Sequence, residues 1–371
     1  MITRRGFARH LGGLVAAGPI LNEAFLAQRA LGDVVHRSDL VRLDSNENPE
    51  GPPQSAIDAI TQGASDTARY HFDEFRAFTE ALAASEELRP EQVLFGIGSG
   101  DVIDAAICAF TSPSRPMITA TPTFEIPVAL ARSLGRKIVE LPLAEPWSFP
   151  VKQMADEAAK AGGGLIYLCN PNNPTASLTP KTDLAWLVSN LPPATVLLVD
   201  EAYIHFADPD EVESAIRYVR RDQNVVVTRT FSKIYGLAGA RAGFACARPD
   251  LIRAMAQFKN NIIPILGLRA AMAALGETDT LVPRRRAQVA RIRSELCAWL
   301  RQKNLRYIEP HANFVMIDIG RDVRTFSSAM YRNGVAVGRP FPPLNQMLRV
   351  TIGTDQEMAK FREAFWQVYS A

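Results

Sequence analysis

Thr228–Phe244 reads TRTFSKIYGLAGARAGF. A β-branched run, Val225 to Thr228, leads into a small polar turn centred on Lys233, and Gly236, Gly239 and Gly243 then let the chain bend and pack closely. The run predicts a strand, and the turn displays a lysine at its end. A lysine amine attacks carbonyl carbon only while part of it is unprotonated, and the small, apolar neighbours of Lys233 offer the desolvation that favours the neutral amine. Thr230, Ser232 and Arg241 add two hydroxyls and a fixed cation of the kind that hold a phosphate. Together these groups suggest a phosphorylated aldehyde held as a Schiff base, pyridoxal phosphate being the common one. The segment alone is equally compatible with a solvated lysine in a loop.

Outward from that stretch, short apolar runs alternate with amphipathic segments. Strands are expected at Val93–Ile97, Pro116–Ala120, Lys137–Leu141, Leu165–Cys169, Val196–Asp200, Val225–Arg229 and Gly243–Cys246, with helices at Asp101–Phe110, Glu125–Leu134 and Thr179–Asn190. This alternation predicts an α/β fold, a mostly parallel seven-stranded sheet flanked by helices, with its ligand at the carboxyl ends of the strands. The pattern changes near Phe258. Gly267–Lys303 reads as long helical material, followed by short runs at Phe314–Ile319, Val335–Val337 and Leu348–Ile352. A last helix opens at Thr354 with Glu357 three residues on, a capping box. The expected division is a leader (1–32), an arm (33–53), a large domain (54–262) and a smaller α+β domain (263–371). The arm, rich in proline at 49, 52 and 53, is expected to be irregular and to lie on another surface.

Several loops fall just after expected strand ends. Gly96–Asp101, GIGSGD, is a glycine-rich turn entering a helix, where free amides and the Ser99 hydroxyl make a phosphate cradle. Phe124 in TPTF places a flat ring that stacks on a heterocycle or fills the core. Cys169–Ala176, CNPNNPTA, carries two Asn-Pro steps of the kind that aim an asparagine side chain at a ligand. Asp200 in DEAYIHF ends an apolar strand with a carboxylate that needs a partner, and a protonated pyridine nitrogen suits it. Tyr203 stands three residues on, within reach of a ring hydroxyl. A structural ion pair is the alternative for Asp200.

A chain of 371 residues with 47% hydrophobic and 22% charged content can bury a full core of ordinary globular type. A net charge of +2 gives no argument for nucleic acid or an anionic membrane, so the partner is a small molecule. Cys108, Cys169, Cys246 and Cys297 lie far apart in apolar segments, and with five scattered histidines they show no metal-ligand spacing. No run reaches the length of a membrane span.

The segments SNENPEGPP, GIGSGD, PTF, CNPNNPT, VDEAYIHF, TFSKIYGLAGARAGF and LRVTIGT, in this order from about Leu43 onward, resemble the histidinol-phosphate aminotransferase group of fold type I pyridoxal-phosphate aminotransferases. The resemblance implies that Lys233 forms the Schiff base and shuttles a proton, and that Asp200 pairs with the pyridine nitrogen. It implies that Asn173 and Tyr203 hold the ring oxygen, that Phe124 stacks on the ring, and that Ser99, Gly100, Thr230, Ser232 and Arg241 take the phosphate. Tyr70 is similar to the tyrosine that reaches the neighbouring subunit's phosphate, which implies a homodimer with shared sites. Arg349 is similar to the arginine that clamps the substrate carboxylate, and Asn46 and Arg339 are the further substrate-binding candidates. The implied reaction is a ping-pong transfer of an amino group from an amino donor to a 2-oxo acid acceptor.

Departures bear on the substrate. Tyr70-His71-Phe72-Asp73 stands where the family shows Tyr-Pro-Asp, and Gly100 intervenes between Ser99 and Asp101. In VGRPFPP, Gly338 stands where an arginine is expected and Arg339 follows one place later. If the segment alternates as a strand, that shift turns the guanidinium away from the pocket, which argues against histidinol phosphate as substrate. Two rival readings are a decarboxylase or racemase of the same fold, and a non-catalytic exported binding protein. The export element rests on Arg4, Arg5 and Phe7 ahead of the apolar run Leu11–Leu21, a pattern similar to a twin-arginine leader. A basic amphipathic helix on a cytoplasmic enzyme is the alternative. Cell fractionation is expected to recover the protein from the periplasm; an uncleaved, wholly cytoplasmic product contradicts export.

Overall fold

Continuous apolar runs bounded by glycine and proline become twelve short strands in the computed structural model, which describes residues 39–259 and 261–371. The expected leader lies outside the described residues. The strands are β1 (Val41–Leu43), β2 (Val93–Ile97), β3 (Met117–Thr121), β4 (Ile138–Pro142), β5 (Gly164–Cys169), β6 (Thr195–Asp200), β7 (Val225–Thr230), β8 (Ala242–Ala247), β9 (Tyr307–Ile308), β10 (Phe314–Asp318), β11 (Val335–Val337) and β12 (Met347–Thr351).

Seven strands form the central sheet in the order β2-β8-β7-β6-β5-β3-β4. Neighbours from β7 to β4 run parallel, and β8 is antiparallel to both β7 and β2. Every residue of β5, β6, β7 and β8 is buried. Because successive side chains point to opposite faces, both faces of these strands are covered, which is why they read as unbroken apolar runs. Helix Ser99–Phe110 packs on β2 and β8, and helix Val151–Lys160 on β5 and β3. In the ladder Cys169 stands opposite Asp200, Asp200 opposite Thr228, and Thr230 opposite Gly243. The carboxyl ends of β5, β6 and β7 therefore meet the start of β8 along one edge.

The smaller region carries the antiparallel sheet β12-β10-β9 with helices Thr278–Gln302, Val323–Arg332 and Asp355–Tyr369. The last helix has its capping box: Glu357 N–H donates to Thr354 Oγ1 at 3.2 Å and Thr354 N–H to Glu357 Oε2 at 2.7 Å. Met358, Phe361 and Phe365 fill the core from its inner face. The stretch expected as long helical material resolves into two helices, Ile265–Leu275 and Thr278–Gln302, of which the first packs against helix Gln54–Gly63.

The arm is a correction to expectation. Instead of remaining wholly irregular, it forms β1, which pairs in parallel with β11, Val41 opposite Val335 and Leu43 opposite Val337. Val41 and Leu43 are buried while Arg42 is exposed, an alternation over three residues ahead of the prolines that prevent a longer strand. Among the described residues no helix is long and apolar enough to cross a membrane.

Candidate active site

Asp200 closes β6 with 3% of its surface exposed. Tyr167 Oη donates to Oδ2, while Thr228 Oγ1 and the Ala202 N–H donate to Oδ1, each at 3.2 Å. All three donors are neutral. Burial consequently pushes the carboxyl up from 3.8 to about 6, with those hydrogen bonds opposing only in part. A buried carboxylate hydrogen-bonded by neutral donors fits a cationic ligand atom, such as a protonated ring nitrogen, brought against it.

Lys233 lies half-buried in the turn after β7, and the arm covers that turn. Its Nζ donates to the Ser45 carbonyl at 3.3 Å and stands 5.5 Å from the centre of the Tyr203 ring. Tyr203 packs edge-on against Phe314, and its hydroxyl accepts from Asn46 Nδ2 at 3.1 Å. Asn46 is itself fixed at both ends: its N–H donates to Thr351 Oγ1 and its Oδ1 accepts from the same hydroxyl. Arg285 clamps the arm onto the lysine turn through the carbonyls of Gly51 (2.6 Å) and Ile234 (2.8 Å). The amine, the phenol and the arm are thus one packed unit.

The anion end of the site sits at the N-terminus of helix Ser99–Phe110, where first-turn amides have no partner within the helix. Gly243 makes this approach possible, since a Cβ there would stand 2.4 Å from the Ser99 nitrogen. Gly100 occupies the same first turn with open space beside it. Arg241 Nη1 donates to Ala238 O at 2.9 Å and Ser232 Oγ at 3.5 Å, and Nη2 to Ile97 O at 3.4 Å. Thr230 Oγ1 donates to Ser232 Oγ at 2.9 Å. Asp101 points elsewhere, accepting from the Ile97 N–H and pairing with Lys259. A guanidinium on neutral oxygens, two hydroxyls and a helix N-terminus form a donor set suited to a phosphate.

Arg349 on β12 is fully buried, donating from Nη1 to Asn173 Oδ1 at 2.7 Å and from Nη2 to the Asp44 carbonyl at 2.8 Å. Phe341 lies under it, ring centre 4.5 Å from the guanidinium carbon. The expectation that Arg339 turns away from the pocket is corrected here. Strand alternation ends at Val337, and in the irregular segment that follows, the Arg339 guanidinium stacks 4.2 Å from the same Phe341 ring. Its Nη2 pairs with Glu125 at 2.9 Å. Gly338 has no room for a side chain, because a Cβ would meet the Arg349 carbonyl at 2.7 Å.

The structure brings Lys233, Tyr203 and Asn46 together, Asn173 with Arg349, and Ser99 with Thr230, Ser232 and Arg241. Phe124 is half-buried in the loop after β3. Tyr70 stands apart, 69% exposed and stacked on Phe72 with ring centres 5.3 Å apart. Tyr167, Thr228 and Glu125 were not anticipated. Tyr167 had one visible signal, a lone hydroxyl-bearing ring in the otherwise aliphatic run GLIYLC.

Comparison with known proteins agrees with this geometry. Residues 38–365 match the family described as aminotransferase class I and II. A histidinol-phosphate aminotransferase of Symbiobacterium thermophilum is 35% identical over 341 residues, 91% of each chain. Another, from Ralstonia nicotianae, is 35% identical over 86% of each. The crystal structure of histidinol-phosphate aminotransferase from Sinorhizobium meliloti in complex with pyridoxal-5'-phosphate superposes with a TM-score of 0.84 at 26% identity, covering 96% of each chain. The Thermus thermophilus aspartate aminotransferase with maleate, 21% identical over 96% of this chain and 98% of its own, shares the fold with a TM-score of 0.79. By sequence and by fold, the chain belongs to the class I and II aminotransferases.

Proposed function

We propose that this chain is a pyridoxal-phosphate-dependent aminotransferase with Lys233 as its catalytic amine and Asp200 as the counter-ion of the cofactor ring. The observation that carries the proposal is the Asp200 carboxylate, buried among neutral donors at the same sheet edge that carries Lys233. The family match and a relative solved with pyridoxal phosphate support the same cofactor.

Bound pyridoxal phosphate supplies an electron sink for the charge left when the substrate α-carbon loses its proton. The chain's residues do the rest. Asp200 would keep the ring nitrogen protonated, and Ser99, Gly100, Thr230, Ser232 and Arg241 would hold the phosphate. Tyr203, oriented by Asn46, and Asn173 would hydrogen-bond the ring oxygen, and Phe124 would pack on the ring. Lys233 Nζ is the base that would carry the α-proton of the bound substrate. Arg349, locked by Asn173 and the Asp44 carbonyl, presents a bidentate group to the carboxylate common to amino acid and oxo acid. One site therefore takes donor and acceptor in turn, the ping-pong order.

The proposal includes a homodimer, with exposed Tyr70 and its stacked neighbour Phe72 presented to a second subunit, and periplasmic export through the Arg4-Arg5 leader. Histidinol phosphate, named for the relatives, is not the favoured donor, because Gly338 carries no cation and Arg339 is already paired with Glu125.

Lys233→Ala is expected to fold while losing the visible absorbance of bound cofactor and all glutamate formation from amino donors with 2-oxoglutarate. Unchanged turnover contradicts the assignment, and carbon dioxide release or racemisation without glutamate moves it to the decarboxylase or racemase class. A second test uses pH. The folded-state pKa of Asp200 is raised, so its share of apo-protein stability is full below about pH 4 and is lost as pH rises through about 6, on the order of 3 kcal/mol. Denaturant unfolding of the apo-protein across this window is expected to show the loss, and Asp200→Asn to remove it while weakening cofactor binding. Identical pH profiles for the two proteins contradict a buried, uncompensated carboxylate.

A further inference from the structure

Glu125 directly follows Phe124 and stands at the N-cap of helix Ile126–Ser133, yet its side chain makes no cap hydrogen bond. It reaches instead to Arg339, Oε1 to Nη2 at 2.9 Å, joining the loop after β3 to the segment after β11. The Arg339 side chain is 10% exposed and that of Glu125 is 44% exposed. The other contacts of Arg339 are weak compensation for a buried cation: Nη1 donates to the Pro340 carbonyl at 3.1 Å, and Nε is buried with no hydrogen-bond partner. Glu125 is thus the anion that satisfies this guanidinium. Arg339 and Arg349 share the Phe341 ring, at 4.2 and 4.5 Å from its centre. With a substrate carboxylate on Arg349, Arg339 is the cation beside it that a second anionic group of the substrate meets.

We propose that Glu125 is a specificity residue: it withholds Arg339 from anionic side chains of the substrate and so steers this aminotransferase toward donors with uncharged side chains. The inference rests on the aminotransferase reading, which places a carboxylate at Arg349. Its physical basis is competition, since a distal carboxylate or phosphate gains Arg339 only by displacing an anion already there and meets the repulsion of that anion if it fails. The half-exposed position of Glu125 limits the cost of displacement, so the steering is a preference and not an absolute barrier.

The test compares the pyridoxal-phosphate-loaded wild type with Glu125→Gln and with Glu125→Gln/Arg339→Ala. Calorimetric binding of succinate, an unreactive dicarboxylate, is set against butyrate, a monocarboxylate of equal chain length. The ratio of kcat/KM for glutamate over leucine is measured alongside. Glu125→Gln is expected to raise the succinate-to-butyrate affinity ratio about tenfold, the share of one partly exposed charge-assisted hydrogen bond, with the glutamate-to-leucine ratio moving the same way. The double variant is expected to lose that gain. An unchanged succinate-to-butyrate ratio in Glu125→Gln, or a gain that survives Arg339→Ala, overturns the proposal. Because the binding ratio needs no turnover, its failure is separate from a failure to form any amino acid product from pyruvate or 2-oxoglutarate with any donor, which overturns the aminotransferase reading instead.

Discussion

One buried carboxylate, Asp200, organises this protein. Asp200 is buried at the end of a strand whose every residue is buried, and Tyr167, Thr228 and the Ala202 amide give it hydrogen bonds from neutral donors. Such a group costs stability until a cationic ligand arrives, so the free energy of ligand binding includes the relief of that cost. A stability optimum would place an amide or an apolar residue there. On the proposed reading the carboxylate serves a cofactor ring, whose nitrogen it would keep protonated.

The rest of the fold places groups around that charge. Parallel pairing of β5, β6 and β7 aligns their carboxyl ends, and antiparallel β8 starts from the same edge, so Asp200, Lys233 and Arg241 come from consecutive strand junctions. Rigid strands hold these groups better than a loop. The arm completes the arrangement from the opposite side: Ser45 contacts the lysine, Asn46 orients Tyr203, and Asp44 steadies Arg349. The residues that directly follow β1, itself anchored on β11, therefore link Arg349 to Lys233.

The large sheet was legible because its central strands are buried on both faces and read as continuous apolar runs. Val93–Ile97 and Val335–Val337 match the expected bounds, and Met117–Thr121, Ile138–Pro142 and Thr195–Asp200 shift by a single residue at one or both ends. The position of Lys233, Asp200 and Arg241 at strand ends was legible because each breaks an apolar or small-residue pattern there. Long-range pairings were not. β1 is three residues long and its partner β11 lies nearly the whole chain away, so no local periodicity marks the pair. The Glu125–Arg339 pair left no trace for the same reason, and the offset of Arg339 was misread because strand alternation was carried past Val337, where the strand ends.

The central claim is that a single amine, Lys233, carries the cofactor opposite Asp200. Borohydride reduction of the protein loaded with pyridoxal phosphate, followed by peptide mass mapping, tests it most directly. The account expects one stoichiometric adduct on the peptide containing Lys233. An adduct on another lysine, or none on a protein that binds the cofactor, contradicts it.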